Sequence, residues 1–290
     1  MSRPESRRDN LLGIASGLAA VVLFSGQALV VKLVGDLYPM NEVVFFRHAF
    51  ALVPAIVMVM AQGGFSTIRT GRFGMHLARM AAGMSSMVLG FYALLLIPLA
   101  DATVYNFISP LLITALSVPL LGERVGIHRW SAVVVGFIGV LIMMQPGQGA
   151  LEWGVIIALA AAFCSAFVNL TMRMLGATET AASTTFMYTG LSFVVFSVSL
   201  LFSWVTPTFV DFLILASLGL GGGVAQYWYT MSLRYAPSAL IAPLGYSSLL
   251  WMTAAGFLFW DEVPSATTLI GAAIICASGL YILYREARRR

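Results

Sequence analysis

Charged residues are spaced so widely in this chain that uncharged stretches of 20 residues or more occur ten times. They fall at 10–31, 49–68, 80–100, 102–122, 130–151, 153–172, 180–210, 212–233, 235–260 and 264–284. About 20 apolar residues, each rising ~1.5 Å along a helix, cross a hydrocarbon core ~30 Å thick. Within that core only helices and closed barrels satisfy their own backbone groups, and runs this long and continuous are helical. The spacing therefore predicts an all-α polytopic membrane protein of ten transmembrane helices. Composition agrees, with 60% hydrophobic and 10% charged residues; soluble domains carry roughly a quarter charged residues.

The remaining charges predict an orientation. With the N-terminus inside, cytoplasmic ends and loops hold Arg3, Arg7, Arg8, Arg69, Arg72, Arg79, Arg124, Arg129, Arg173, Arg234, Arg285, Arg288, Arg289 and Arg290. Only Lys32 and Arg47 of the 16 basic residues lie on the other side. The positive-inside rule then places both termini in the cytoplasm, which suits a multi-pass protein of a bacterial inner membrane. It also accounts for the net charge of +4 without a nucleic-acid partner. Cys164 and Cys276 fall inside spans and read as small packing residues, so no disulfide or metal site is expected. HExxH, GxSxG and embedded acid pairs are missing, so the sequence predicts neither catalytic residues nor a cofactor.

The chain also repeats itself. A shift of 139 pairs Gly83 with Gly222, Pro98 with Pro237, Ala100 with Ala239 and Glu123 with Glu262. A shift of 141 pairs the earlier landmarks: Gly13 with Gly154, Leu18-Ala19-Ala20 with Leu159-Ala160-Ala161, and Phe45 with Phe186. Two repeats follow, 10–148 and 150–286, each of five spans. Five is odd, so the second copy enters the membrane from the opposite face, the inverted-repeat plan of many alternating-access carriers. Pro98 and Pro237 sit in short connections, with Asp101 and Ser238 as expected N-caps. Pro110 and Pro243 fall inside the following spans, where proline kinks a helix. These four prolines are read as gating turns and kinks.

Polar groups within lipid need a partner, water or a task. Gln27, Tyr92, Tyr105 and Asn106 lie at similar depth in the first half, with Ser109 one turn deeper. Asn169, Gln226, Trp228 and Tyr246 lie at mirrored depth in the second half. These are the expected substrate contacts, with interhelical hydrogen bonding as the plainer alternative. Arg47 stands about one turn into the second span. It can snorkel outward, pair with Glu42 or Asp36, or hold a substrate carboxylate. Tyr188 is its repeat counterpart and could offer a hydroxyl. His48 reads as shallow, and His76 and Arg79 as flanking residues. The glycines of GMSS (Gly83–Ser86) and GLGGG (Gly219–Gly223) serve either close helix packing or a central void. All twelve acids are terminal or in loops, which favours neutral or zwitterionic cargo over cationic drugs.

The runs IPLADATVYNFISPLLITALSVPLLGERV with GFIGVLIM, and APSALIAPLGYSSLLWMTAAGFLFWDEV with GLYIL, resemble the EamA-like branch of the drug/metabolite transporter superfamily. Arg47 in FFRHAF matches the basic residue that family places in its second helix. The resemblance covers residues 10 to 285 and implies a carrier of small metabolites. Within the superfamily the chain is similar to bacterial exporters of aromatic amino acids, through QYWYT, Tyr92, Tyr105 and Tyr246. The expected partners are thus a small molecule and the bilayer, and ten spans suffice for a pathway in one monomer. A carrier of other metabolites or drugs is the first alternative, and a passive channel or lipid-translocating protein the second.

Overall fold

A computed structural model describes residues 7–122, 125–145, 152–175, 178–236 and 238–287. Twelve α-helices are present among them: α1 (Arg7–Val34), α2 (Met40–Ala61), α3 (Phe73–Leu96), α4 (Leu99–Asn106), α5 (Ser109–Leu121) and α6 (Ile127–Met144) in the first half. The second half holds α7 (Trp153–Leu175), α8 (Ala181–Ser199), α9 (Phe209–Tyr235), α10 (Ser238–Ile241), α11 (Ser248–Trp260) and α12 (Ala266–Ala287). Short 3₁₀ segments at Phe65–Ile68 and Ala242–Ser247 complete the described elements. Among the described residues nine segments are long and apolar enough to cross a membrane, α4 and α5 counting together as one. The tenth span, Ser238–Trp260, is divided into α10, the 3₁₀ segment and α11.

Helix ends reproduce the repeat. Val34 and Leu175 close α1 and α7, and Met40 and Ala181 open α2 and α8, each pair 141 apart. Leu99 and Ser238, Ser109 and Ser248, Leu121 and Trp260, and Ile127 and Ala266 are each 139 apart. The residues after α5 and α11, Gly122 (φ 67°) and Asp261 (φ 54°), both turn left-handed, the usual stop at a helix C-terminus. Local chemistry sets two of the starts. The hydroxyls of Thr180 and Thr208 accept the N–H of Ser183 (3.1 Å) and Asp211 (3.2 Å) at the heads of α8 and α9.

Packing divides the chain into two compact units that are not the two sequence repeats. The first comprises Met1–Met84 and Thr171–Gly245, the second Ser85–Leu170 and Tyr246–Arg290. In the first, α9 packs on α1 and α2, and α2 also packs on α8. The GLGGG run explains the closeness: a Cβ on Gly219 would sit 2.8 Å from the carbonyl oxygens of Phe46 and Arg47. Gly219, Gly222 and Gly223 therefore serve helix contact, the plainer of the two expectations, whereas a Cβ on Gly221 would meet nothing within 4 Å. In the second unit α6 packs on α12 and α4 on α11. There a Cβ on Gly271 would meet the Gly139 carbonyl oxygen at 2.7 Å. Large apolar side chains such as Val57, Val194, Leu250 and Leu258 are exposed, as expected where lipid replaces water.

Asp101 does not cap α4. Pro98 occupies the cap position, and the Leu99 N–H is taken by Glu262 Oε2 at 2.9 Å. Asp101 Oδ1 instead accepts from the Thr268 hydroxyl at 2.9 Å. Proline supplies no side-chain acceptor, so the carboxylate nearest the free N–H groups takes over. Pro237 and Glu123 lie outside the described residues, and so does the side chain of Ser238.

Candidate substrate-binding residues and helix breaks

In the second unit the expected site residues gather around a break. Helix α4 stops at Asn106 and α5 starts at Ser109, with Phe107 and Ile108 in a tight helical turn between them. Pro110 lies in the first turn of α5, where its missing N–H costs no helical bond. It therefore opens a half-helix and does not kink a continuous one. Pro243 lies in the 3₁₀ segment at the matching break.

Tyr105 is buried and Asn106 exposed. The Phe107 ring stands edge-on to Tyr246, centroids 4.9 Å apart. The Tyr246 hydroxyl is buried without a hydrogen-bond partner among the described residues. It also lies so close to Gly279 that any side chain there would collide with it. Ser109 Oγ is 3.4 Å from Ser165 Oγ of α7, and Asn169 Nδ2 donates to the Ser165 carbonyl at 2.8 Å. Tyr92, in the later part of α3, is exposed.

The first unit holds the others. Gln27 is buried, and its Nε2 donates to the Leu218 carbonyl at 2.6 Å beside Gly222. That amide ties α1 to α9, so the plainer reading applies to it. Gln226 is half-buried and Trp228 exposed, both on α9. The two expected polar rings are thus shared between the units: Gln27, Gln226 and Trp228 belong to the first, Tyr92, Tyr105, Asn106, Ser109, Asn169 and Tyr246 to the second.

Arg47 is the eighth residue of α2, deeper than expected, with its Nε buried and unpartnered among the described residues. Neither proposed acid holds it. Glu42 Oε2 accepts the Val205 N–H at 2.9 Å, and no ion pair joins Arg47 to Glu42 or Asp36. Tyr188 is half-buried on α8. Its ring lies beneath the Arg79 guanidinium, 4.7 Å from centroid to Cζ, and edge-on to His48 at 5.3 Å.

Sequence reasoning missed three residues of this cluster. His48 was expected to be shallow, but it is fully buried between Tyr188 and Phe196, with both ring nitrogens unpartnered among the described residues. His76 and Arg79 were expected to flank a span. Helix α3 begins at Phe73, so Arg79 is six residues inside it, about 9 Å along the axis. His76 and Arg79 are 2% and 8% exposed. A search for uncharged windows excludes by construction any helix turn that carries a buried arginine. The available signal was the spacing of His76, Arg79 and Gly83, which shares one helix face.

Comparison with known proteins identifies the kind of protein that carries these helix breaks and internal polar residues. A model described as the EamA-like transporter family matches residues 11–145 and again 152–284. The chain belongs to the EamA-like transporter family. Among its relatives are an S-adenosylmethionine uptake transporter of Rickettsia bellii, 27% identical over 96% of this chain and 95% of the relative. A riboflavin transporter of Rhizobium johnstonii is 29% identical over 96% and 90%. A pseudopaline exporter of Pseudomonas aeruginosa is 28% identical over 91% and 93%. A solved crystal structure matches with TM-score 0.63 and 22% identity over 95% of this chain and 98% of its own, a likeness of fold. This EamA-like protein is therefore a multi-pass membrane transporter of small metabolites. The relatives named here are transporters of cargo other than aromatic amino acids.

Proposed function

We propose that this EamA-like protein is an alternating-access carrier of organic metabolites that combine an amino-acid end with a ring. It would lie in the bacterial inner membrane with both termini in the cytoplasm, and S-adenosylmethionine is the first cargo to test. The observation that carries this reading is the pair of breaks at Phe107–Ile108 and Ala242–Ser247. Irregular backbone at membrane depth is tolerated where it is enclosed by protein or lines a water-filled route. Breaks at corresponding places in two repeats point to a substrate path. The cargo contacts this reading proposes in the second unit are Tyr92, Tyr105, Asn106, Ser109, Asn169 and Tyr246; those it proposes in the first unit are Arg47, Tyr188, Gln226 and Trp228.

Export of aromatic or apolar amino acids is the second reading. The Phe107–Tyr246 edge contact favours it, because an aromatic pair beside a break offers a face for a further ring. Counterflow in proteoliposomes separates the readings. Vesicles preloaded with unlabelled S-adenosylmethionine or tryptophan should accumulate the labelled compound saturably, and Tyr246→Ala should slow the exchange about tenfold or more. Flux that rises linearly with concentration and ignores competitors would instead indicate a passive channel.

A further inference from the structure

We infer that Arg79, resting on Tyr188 above His48, is the subsite that binds the carboxylate of the cargo. The inference rests on the carrier reading and deepens it by naming the chemical group recognised.

The cluster lies wholly within the first unit. It descends from one end of α3 and α8, where Thr70 Oγ1 and Ser183 Oγ donate to Glu179 at 2.7 and 3.3 Å. His76 Nε2 is 4.0 Å from the same carboxylate. One turn deeper, Arg79 Nη1 donates to the Thr184 carbonyl at 3.2 Å and Nε contacts the Met172 sulfur at 2.7 Å. Tyr188 and then His48 follow. Glu179 is thus engaged by His76, Thr70 and Ser183, and no carboxylate pairs with Arg79 among the described residues.

An arginine withdrawn from water into a membrane span is costly unless a charge of opposite sign completes it. A carbonyl, a thioether and a ring face supply partial compensation only. Guanidinium has five N–H donors in a planar fork that suits a carboxylate, and the two contacts above use a minority of them. The orphaned His48 nitrogens add polar capacity on the far side of the tyrosine. Cation and ring are both fixed in place. Any Cβ on Gly83 would stand 2.6 Å from the Tyr188 ring, so that ring is held by the helix opposite. The result is a preorganised positive site, open in charge and short of one anion. A zwitterionic cargo supplies it.

The test compares acids with partners that lack the carboxylate: S-adenosylmethionine against its decarboxylated form, and tryptophan against tryptophanamide. In counterflow with full-length protein, the acids should be preferred about ten- to hundredfold, the range of a charge-assisted contact. Arg79→Gln should abolish the preference and Arg79→Lys retain part of it, with folding checked by gel filtration. Equal transport of acid and carboxylate-free partner by the unaltered protein would overturn the subsite and leave the carrier standing. An undiminished preference in Arg79→Gln would do the same. Failure of all four compounds to exchange would overturn the cargo reading and the subsite together. Should Arg79→Gln not fold, the preference of the unaltered protein and its reduction in Arg79→Lys decide the matter.

Discussion

At the scale of single residues, the loop between α1 and α2 holds a tyrosine whose ionisation bears on stability. Tyr38 donates its hydroxyl to Asp211 Oδ2 at 2.6 Å. That bond, reinforced by burial, raises the phenol above its ordinary value near 10. The folded state therefore holds the proton more tightly than the unfolded chain. The stabilisation is complete below pH 10, and it is lost as pH rises through the higher folded value. Thermal midpoints in detergent should fall more steeply above pH 10 for the unaltered protein than for Tyr38→Phe. Parallel curves would show that the contact carries no linkage. The same scale shows where sequence was least informative. Gln27 and Arg79 are both polar groups in spans, and only their neighbours separate a helix tie from an uncompensated cation. Gln27 finds the Leu218 carbonyl beside a glycine, whereas Arg79 finds no acid among the described residues.

Among elements, the start of α4 depends on a distant carboxylate. Glu262, just beyond α11, accepts the Leu99 N–H, and Asp101 of α4 accepts from Thr268 of α12. Three helices of the second unit are thereby joined at one end. Glu262→Ala should lower stability by about 1–2 kcal/mol, the usual cost of a lost N-terminal acceptor. Glu262→Gln, which keeps an acceptor oxygen, should cost less. A thermal midpoint for Glu262→Ala equal to that of the unaltered chain would refute the cap. Helix positions themselves were legible, since ten gaps between charges and two offsets, 141 and 139, anticipate the boundaries later observed. The nature of the breaks was not. Pro110 in a sequence signals a kink, but whether the proline interrupts a helix or begins one depends on where the preceding turn stops. Phe107 and Ile108, which make that turn, carry no local signal of it.

For the whole molecule, the two levels of organisation do not coincide. Family matches fall on consecutive halves, yet each compact unit draws on both. The helices α3 and α7 contribute to both units, which meet in sequence at Met84–Ser85, Leu170–Thr171 and, within the 3₁₀ segment, Gly245–Tyr246. Sequence similarity reveals ancestry and cannot reveal which copies pack together, because that choice lies in side-chain fit such as Gly219 against α2. Residues 1–145 expressed alone, or 152–290 alone, should fail to give a monodisperse folded species. Co-expressed from separate genes, the two pieces should copurify and recover exchange. Independent folding of either piece would contradict the packing.

That interleaving limits how such a chain can change. Each compact unit takes segments from both copies, so losing a single copy would leave both units incomplete. Substitutions in one copy are screened against the other through shared neighbours, as Phe46 and Arg47 are against Gly219. Divergence between the copies must then proceed in step, even where each has come to face a different side of the membrane.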